Sequence, residues 1–218
     1  MTGRPRKPRP AGGLDLAIER DLAPARVCGV DEAGRGPLAG PVAAAAVILD
    51  LDRIPAGLDD SKKLSHRRRE ALFEAIVAEH RVALAFVPAA RIDATDIRRA
   101  SLEAMVRAVA ALGETVDHVL VDGNVVPPGL PCPATALVGG DGRSASIAAA
   151  SIVAKVVRDR AMVDAARFFP GFGFEIHKGY PTAAHMDALA RLGPSPIHRL
   201  TFAPVAAALI AIEGRKGG

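Results

Sequence analysis

The sequence predicts an α/β fold, a mixed five-stranded sheet flanked by helices, with a helical C-terminal extension. Three observations carry this. Five short apolar runs of strand length are interleaved with segments whose apolar residues recur at helical spacing. The last fifty or so residues hold only helical patterns. Half of the 218 residues are hydrophobic, enough for a substantial core, drawn mainly from Ala, Val, Leu and Ile because there is no Trp and one Tyr. Strands mixed with helices in this order give a sheet with helices packed on it.

Arg26–Val30 reads as a short buried strand entering Asp-Glu-Ala-Gly-Arg-Gly-Pro, and Pro41–Leu49 as a second made of small apolar residues. Pro55–Asp60 is a loop. Ser65 caps a helix through Arg67–His80, whose Leu72, Ile76 and Val77 fall at helical spacing. Val82–Val87 is a strand stopped by Pro88. Leu102, Met105, Val106 and Val109 make the apolar stripe of a helix over Ile97–Leu112, ended by Gly113. His118–Val121 is a strand running into Asp122-Gly123-Asn124. After the Pro-rich segment 127–133, a strand at Ala134–Val138 leads to Gly139-Gly140-Asp141. Ser144 starts a helix reaching about Arg167, and Pro181–Leu192 and Ala203–Glu213 are two further amphipathic helices. No internal repeat is present.

Asp31, Asp122 and Asp141 each fall at or just beyond a strand end, each with Gly nearby. An isolated Asp there is ordinarily a turn residue or a cap. Three of them, if their strands are adjacent, converge on one edge, where side chains line the crevice of such sheets. Hard divalent ions such as Mg²⁺ and Mn²⁺ suit an oxygen-rich edge of this kind and offset the repulsion among its carboxylates. No His or Cys stands at zinc-ligand spacing around these acids. Two such ions serve phosphodiester hydrolysis without a side-chain nucleophile; the metal-free alternative, acids that only cap loops and helices, stays open. Asp31-Glu32 adds a geometric difficulty, because consecutive strand side chains point to opposite faces. Both serve one site only if the chain bends between them, or if one acts through its carbonyl or a water; Ala33-Gly34-Arg35-Gly36 allows such a bend.

The net charge of +4 invites a nucleic-acid reading, but Arg4, Arg6, Lys7 and Arg9 account for it, leaving 24 basic against 24 acidic residues in the remainder. A basic face must therefore come from clustering and not from the total. The tail Met1–Gly13, rich in Pro, Gly and Arg, reads as flexible. Cys28 lies in an apolar run and Cys132 between prolines, with no metal-ligand or redox spacing. Leu14–Leu22 is interrupted by charges and is no signal-peptide core, and the apolar run at 41–49 is too short to span a membrane. The expectation is a soluble cytoplasmic protein.

The run Val30-Asp31-Glu32-Ala33-Gly34-Arg35-Gly36-Pro37-Leu38-Ala39-Gly40-Pro41-Val42 resembles the opening motif of bacterial ribonuclease HII. The resemblance continues in order through Asp60-Ser61-Lys62-Lys63-Leu64-Ser65, Val121-Asp122-Gly123-Asn124, Gly140-Asp141, Ser144–Val156, His177-Lys178-Gly179-Tyr180-Pro181-Thr182 and Pro196-Ile197-His198-Arg199. It implies a ribonuclease-H-like fold divided into a flexible basic tail and lead-in (1–25), a catalytic domain (26–168) and a helical substrate-binding extension (169–218). It implies an endoribonuclease that hydrolyses the RNA strand of RNA–DNA hybrids and cuts 5′ to single ribonucleotides in duplex DNA, leaving 3′-hydroxyl and 5′-phosphate ends. The resemblance makes Asp31, Glu32, Asp122 and Asp141 the catalytic acids and metal ligands, holding two divalent ions, Mn²⁺ or Mg²⁺, during catalysis. Gly34-Arg35-Gly36 becomes the turn that reads the ribose 2′-OH through its backbone, where glycines permit close approach. Tyr180 becomes the residue that stacks on the deoxyribose of the junction; taken from its position alone, it is a Tyr packed at a helix start.

Lys62, Lys63 and Lys178 are further candidates as phosphate contacts, as are Ser144 and Ser146 at a helix N-terminus, although each serine serves equally well as a cap. The protein is expected to act as a monomer on hybrids and ribonucleotide-containing duplexes, with no membrane; nothing in the sequence identifies a sliding-clamp or repair partner. Several positions depart from the family pattern. Gly139 replaces a lysine, Gly142-Arg143 replaces Ala-Lys, which should loosen that loop, and Arg98-Arg99 makes the start of one helix more basic, a surface change. Ribonuclease HIII carries a sizeable N-terminal domain, and about 26 residues precede the first strand here, which favours HII. The catalytic subunit of the eukaryotic three-subunit enzyme is longer. A non-catalytic nucleic-acid-binding module is the reading from another class. A phosphate loop at Gly34–Gly40 lacks the required Gly-x-x-x-x-Gly-Lys-Ser/Thr spacing and precedes a strand.

Overall fold

The computed structural model describes Leu14 and residues 16–216; the flexibility expected of Met1–Gly13 concerns residues outside this set. Five strands, β1 (Val27–Ala33), β2 (Val42–Ile48), β3 (Arg81–Val87), β4 (His118–Asp122) and β5 (Ala134–Leu137), form one sheet in the order β3-β2-β1-β4-β5. β1, β2 and β3 pair antiparallel, whereas β4 and β5 continue from β1 in parallel. The sheet is mixed and five-stranded, as the sequence predicts.

Its helices are α1 (Ala17–Asp21), α2 (His66–Glu79), α3 (Ala89–Ala94), α4 (Ile97–Ala110), α5 (Ala145–Phe168), α6 (Phe174–His177), α7 (Ala183–Leu192) and α8 (Ala203–Lys216). Ser65, Asp96, Ser144 and Thr182 cap α2, α4, α5 and α7, each accepting from a backbone N–H three residues on. α1, α3 and α6 have no counterpart in the sequence reading, because six residues or fewer cannot display a 3.6-residue period.

The central strands are apolar on both faces because both faces are covered. Cys28, Val30, Ala44 and Ala46 pack with Ala104, Met105 and Ala108 of α4; Ala45 and Val47 pack with Phe73 and Ile76 of α2 and with Ala148, Ile152 and Val153 of α5. Small residues in β2 keep these layers close. Gly29 is the extreme case, since a Cβ there would lie 2.1 Å from the Ser146 carbonyl carbon. α5 therefore crosses directly over β1, and a larger residue at 29 would push them apart. Cys28 is buried and Cys132 partly so; both are free thiols against the α4-side core.

α5 ends at Phe168, and the chain beyond folds back onto the turn that follows β1. Ala39 packs with Met162, Phe172, Phe174 and Ala188, and Leu38 with Leu189 and Val205. The lead-in to β1 packs on the sheet and on α5. Ile18, Leu22 and Ala25 pack on Val27, Leu120 and Ile147, and Glu19 is buried against the start of α5. Among the described residues, no helix is long and apolar enough to cross a membrane.

Candidate active site

Sheet register creates the site. β1 pairs with β2 as far as Ala33↔Ala43, but with β4 only as far as Val30↔Val121. Asp31 and Glu32 therefore extend past the last rung shared with β4, and Asp122 is the final residue of that neighbouring strand. A notch opens between them. Asp31, Glu32 and Asp122 line one cleft of about 530 Å³, together with Ser61, Lys62, Ser151, Lys155, Tyr180 and the turn Ala33–Gly36.

No bend falls between Asp31 and Glu32, because β1 stays paired through both residues. Their cross-strand partners show the two faces: Asp31 stands opposite Ala45, in the α2/α5 core, and Glu32 opposite Ala44, in the α4 core. Both carboxylates still reach one space, because at the notch the sheet is missing its β4 rung and the faces communicate around the edge. Alternation was a true constraint, and the early end of β4 resolves it.

Asp31 is 3% exposed. Burial, then the charges of Glu32 and Asp122, holds its carboxyl well above the usual carboxylate range, against hydrogen bonds from the Glu32 N–H (2.7 Å) and the Ser151 hydroxyl. Glu32 is raised by burial and partly relieved by Arg35, whose Nη1 stands 3.3 Å from its Oε1. Asp122 is raised by burial and by Asp141, and accepts the Gly140 N–H at 2.7 Å. Asp141 is buried in the 3₁₀ turn Gly140–Gly142 and joins the site through Lys62, whose Nζ lies 2.9 Å from Oδ2. That bond pushes the Lys62 ammonium up. The Gly139–Arg143 loop, expected to be loosened by its extra glycines, is instead closed by hydrogen bonds from Gly142, Arg143 and Ser144 to Gly139 and Gly140.

The donor set is all carboxylate oxygen, and Asp31, Glu32 and Asp122 are raised by burial and by neighbouring carboxylates; a hard divalent cation relieves both burial and repulsion. The residues fit such an ion chemically. Among the described residues, no three of them are drawn together into a closed coordination cage, and Lys62 supplies the positive charge at Asp141.

The opposite wall is the turn Gly34-Arg35-Gly36 and Tyr180. Their two glycines differ in kind. Gly34 is buried at φ +98°, and a Cβ there would lie 2.0 Å from the Arg158 Nε, so its freedom is spent on protein packing. Gly36 is exposed, with Tyr180 the only group among the described residues near a would-be Cβ, at 3.7 Å. Gly36 is the glycine open to a ligand. Tyr180 is 40% exposed, with Lys155 Nζ and Arg158 Cζ 5.5 and 5.9 Å from its ring centre.

Several predicted contacts are not brought to the cleft. Lys63 is exposed and paired with Asp59. The Lys178 ammonium folds back on the Glu175 carbonyl. Ser144 and Ser146 are 0% and 1% exposed, and Glu19 fills the place foreseen for phosphate. Its Oε1 accepts from the Ser144 hydroxyl at 2.6 Å and the Ser146 N–H at 2.9 Å. Arg98, read as a surface change, lines a smaller recess beside Glu32, Arg35, Asp122 and Asn124. Ser61, Ser151 and Lys155 were missed as site residues. The signal for two of them was a polar stripe in an Ala-rich helix, since Ser151, Lys155 and Arg158 recur at four and three residues.

Comparison with known proteins converges on one family. The family model described as Ribonuclease HII matches residues 28–205. The ribonuclease HII of Brucella anthropi is 59% identical over 181 residues, covering 82% of each chain. The crystal structure of ribonuclease H2 from Pyrococcus horikoshii OT3 superposes with a TM-score of 0.74 at 27% identity, over 86% of this chain and 98% of that one. Bst-RNase HIII in complex with Mn²⁺ shares the fold, with a TM-score of 0.68 at 20% identity over 98% and 79% of the two chains. The chain belongs to the ribonuclease HII family, metal-dependent endonucleases of the ribonuclease H class.

Proposed function

We propose that this chain hydrolyses the RNA strand of RNA–DNA hybrids and cuts 5′ to a single ribonucleotide embedded in duplex DNA, leaving 3′-hydroxyl and 5′-phosphate ends. The observation that carries this reading is that the carboxylate edge and the Gly36–Tyr180 wall bound the same cleft. A phosphodiester lying against the acids has its sugar within reach of that wall. Asp31, Glu32, Asp122 and Asp141 would hold the divalent ions, Mn²⁺ or Mg²⁺. A pair of such ions supplies water activation and stabilisation of the leaving oxygen.

The chain's own groups do the rest. Lys62 and Lys155 line the cleft, their ammonium groups paired with Asp141 and Asp159 at 2.9 Å, and would also meet phosphate oxygens, which positions the strand without reading its sequence. Gly36 lets the backbone approach a ribose closely enough to test its 2′-OH. The exposed face of Tyr180 offers a platform for the adjoining deoxyribose. Ser61 and Ser151, 2.8 Å apart, link the Lys62 loop to Asp31 and keep both sides of the cleft in register.

The test is a 5′-labelled DNA duplex carrying one ribonucleotide, run beside a hybrid with an all-RNA strand, in Mg²⁺ and in Mn²⁺. The expected product from the first ends in a 3′-hydroxyl immediately 5′ to the ribonucleotide. No cleavage of either substrate in either metal overturns the proposal.

A further inference from the structure

Arg199 is fully buried, yet it lies outside the cleft and has no part in the chemistry described so far. Its guanidinium has five N–H donors, and all five are used on the turn after β1. Nη2 donates to the Gly34 carbonyl at 2.6 Å and the Gly40 carbonyl at 3.0 Å. Nη1 donates to those of Arg35 at 2.8 Å and Pro37 at 2.7 Å, and Nε to that of Gly40 at 3.1 Å. Among the described residues no carboxylate pairs with it. A buried cation without a counter-ion is costly unless dipoles surround it, so the fold has committed four carbonyls of one short turn to this purpose.

Peptide geometry turns that commitment into a consequence at the surface. In a planar trans peptide the C=O of one residue and the N–H of the next point in opposite directions. With the Gly34 and Arg35 carbonyls aimed inward at Arg199, the N–H groups of Arg35 and Gly36 are aimed away from it. Neither has a hydrogen-bond partner among the described residues, whereas the N–H groups of Leu38 and Gly40 are taken by Gly179 and Ile197. Arg158 secures the flanks. It donates to the carbonyls of Ala39, Pro41 and Lys178, the last of these two residues before Tyr180. Burial and the nearby Arg158 push Arg199 down to about 9, so it stays charged at neutral pH and adds positive potential beneath the two donors.

We propose that Arg199 is a positioning residue for substrate selection: by holding the turn's carbonyls inward, it presents the Arg35 and Gly36 N–H groups as a paired donor for the sugar–phosphate at a ribonucleotide junction. This deepens the proposed function and rests on it. The extension beyond Phe168 thus acts on selectivity from behind the turn, through a residue that touches no substrate.

The test compares wild type with Arg199→Lys, which keeps the charge and loses the fork. Activities on the single-ribonucleotide duplex and on the all-RNA-strand hybrid are measured together with a thermal melt. A folded Arg199→Lys protein is expected to lose about tenfold more kcat/KM on the single-ribonucleotide duplex than on the hybrid, the scale of a small misplacement of positioning groups. Equal losses on the two substrates, or none, overturn the inference while leaving the proposed function standing. Wild type that cuts hybrids but not the single-ribonucleotide duplex removes the proposed function and this inference with it. A second measurement needs no variant. In ¹⁵N spectra of wild type without divalent metal, the Arg35 and Gly36 amides should shift more with ribonucleotide-containing duplex than with the all-DNA duplex. Equal responses overturn the inference.

Discussion

Asp31 and Arg199 are buried charges on the two sides of one functional cleft, and they are satisfied in opposite ways. Asp31 sits among other acids, and both burial and neighbouring charge oppose its ionisation. Arg199 has every donor engaged by a carbonyl. The acid edge is left electrostatically incomplete, and under the proposed function a bound cation and a phosphate would complete it. The wall opposite is completed internally, so that its shape is set before any ligand arrives. Under the proposed function, chemistry would fall to the wall left incomplete and selection to the wall completed within the fold.

The largest effect expected from breaking this arrangement is at the acids. Asp31→Asn should lower kcat on both substrates by on the order of 10²–10³-fold or more, the scale of removing one group that stabilises transition-state charge. Its thermal midpoint should stay level or rise, because the variant removes a repelled buried carboxylate. Steady-state kinetics and calorimetry check both halves, and a marked fall in midpoint would show that Asp31 is structural.

Tyr180→Ala should be smaller and selective. About a tenfold loss is expected on the single-ribonucleotide duplex, the order of one base–aromatic stack, with the hybrid little changed. An unchanged rate on the single-ribonucleotide duplex removes Tyr180 from the site.

The two regions should also respond to pH with opposite sign. Behind Tyr180, the Ser195 N–H donates to His198 Nδ1 at 2.9 Å, His198 Nε2 meets His185 Nε2 at 3.0 Å, and His185 Nδ1 meets the Tyr180 carbonyl at 2.9 Å. With both rings neutral, this chain assigns each proton: Nε2–H on His198 and Nδ1–H on His185. Burial, with the neighbouring His185, lowers His198 to about 4. A group depressed on folding contributes stability that is present above its unfolded value near 6.5 and is lost as pH falls toward 4. At pH 5 that loss is about 2 kcal/mol. Asp31, raised on folding, works the other way and favours the metal-free fold as pH falls. Melts from pH 7.5 to 5 should therefore show a flatter fall for His198→Gln than for wild type, and a steeper one for Asp31→Asn. Parallel curves would contradict the assignment.

The smallest expected effect is at Lys63. Its pairing with Asp59 keeps it from the cleft, so Lys63→Ala should change KM by less than about twofold, within the small range of surface pairs. Lys62→Ala, which exposes Asp141 to its neighbours without a cation, should change it more.

Much of the acid edge was legible in the sequence, because strand-end position and neighbouring glycines are local features. Asp31, Asp122 and Asp141 could be placed at strand ends from the order of apolar runs alone, converging if those strands are neighbours, and Ser65 and Ser144 mark helix starts by their chemistry. The selecting wall was legible only as motifs. Nothing local in Pro196-Ile197-His198-Arg199 says that its arginine grips carbonyls more than 150 positions earlier. The same holds for Glu19, which reaches across the chain to occupy Ser144 and Ser146. The question left open at Asp31-Glu32 had a different origin. Alternation was applied correctly, but the length of β4, which decides where the sheet stops, depends on pairing that a single strand's pattern does not contain.

The division between the walls is tested most directly by one table of kcat/KM values, for wild type, Asp31→Asn and Tyr180→Ala on the single-ribonucleotide duplex and the all-RNA-strand hybrid. The acid variant should fall by the same factor on both substrates, and the tyrosine variant on the first alone. If the two variants instead lose activity in the same proportion on each substrate, chemistry and selection are not separate, and the assignment of one to each wall is wrong.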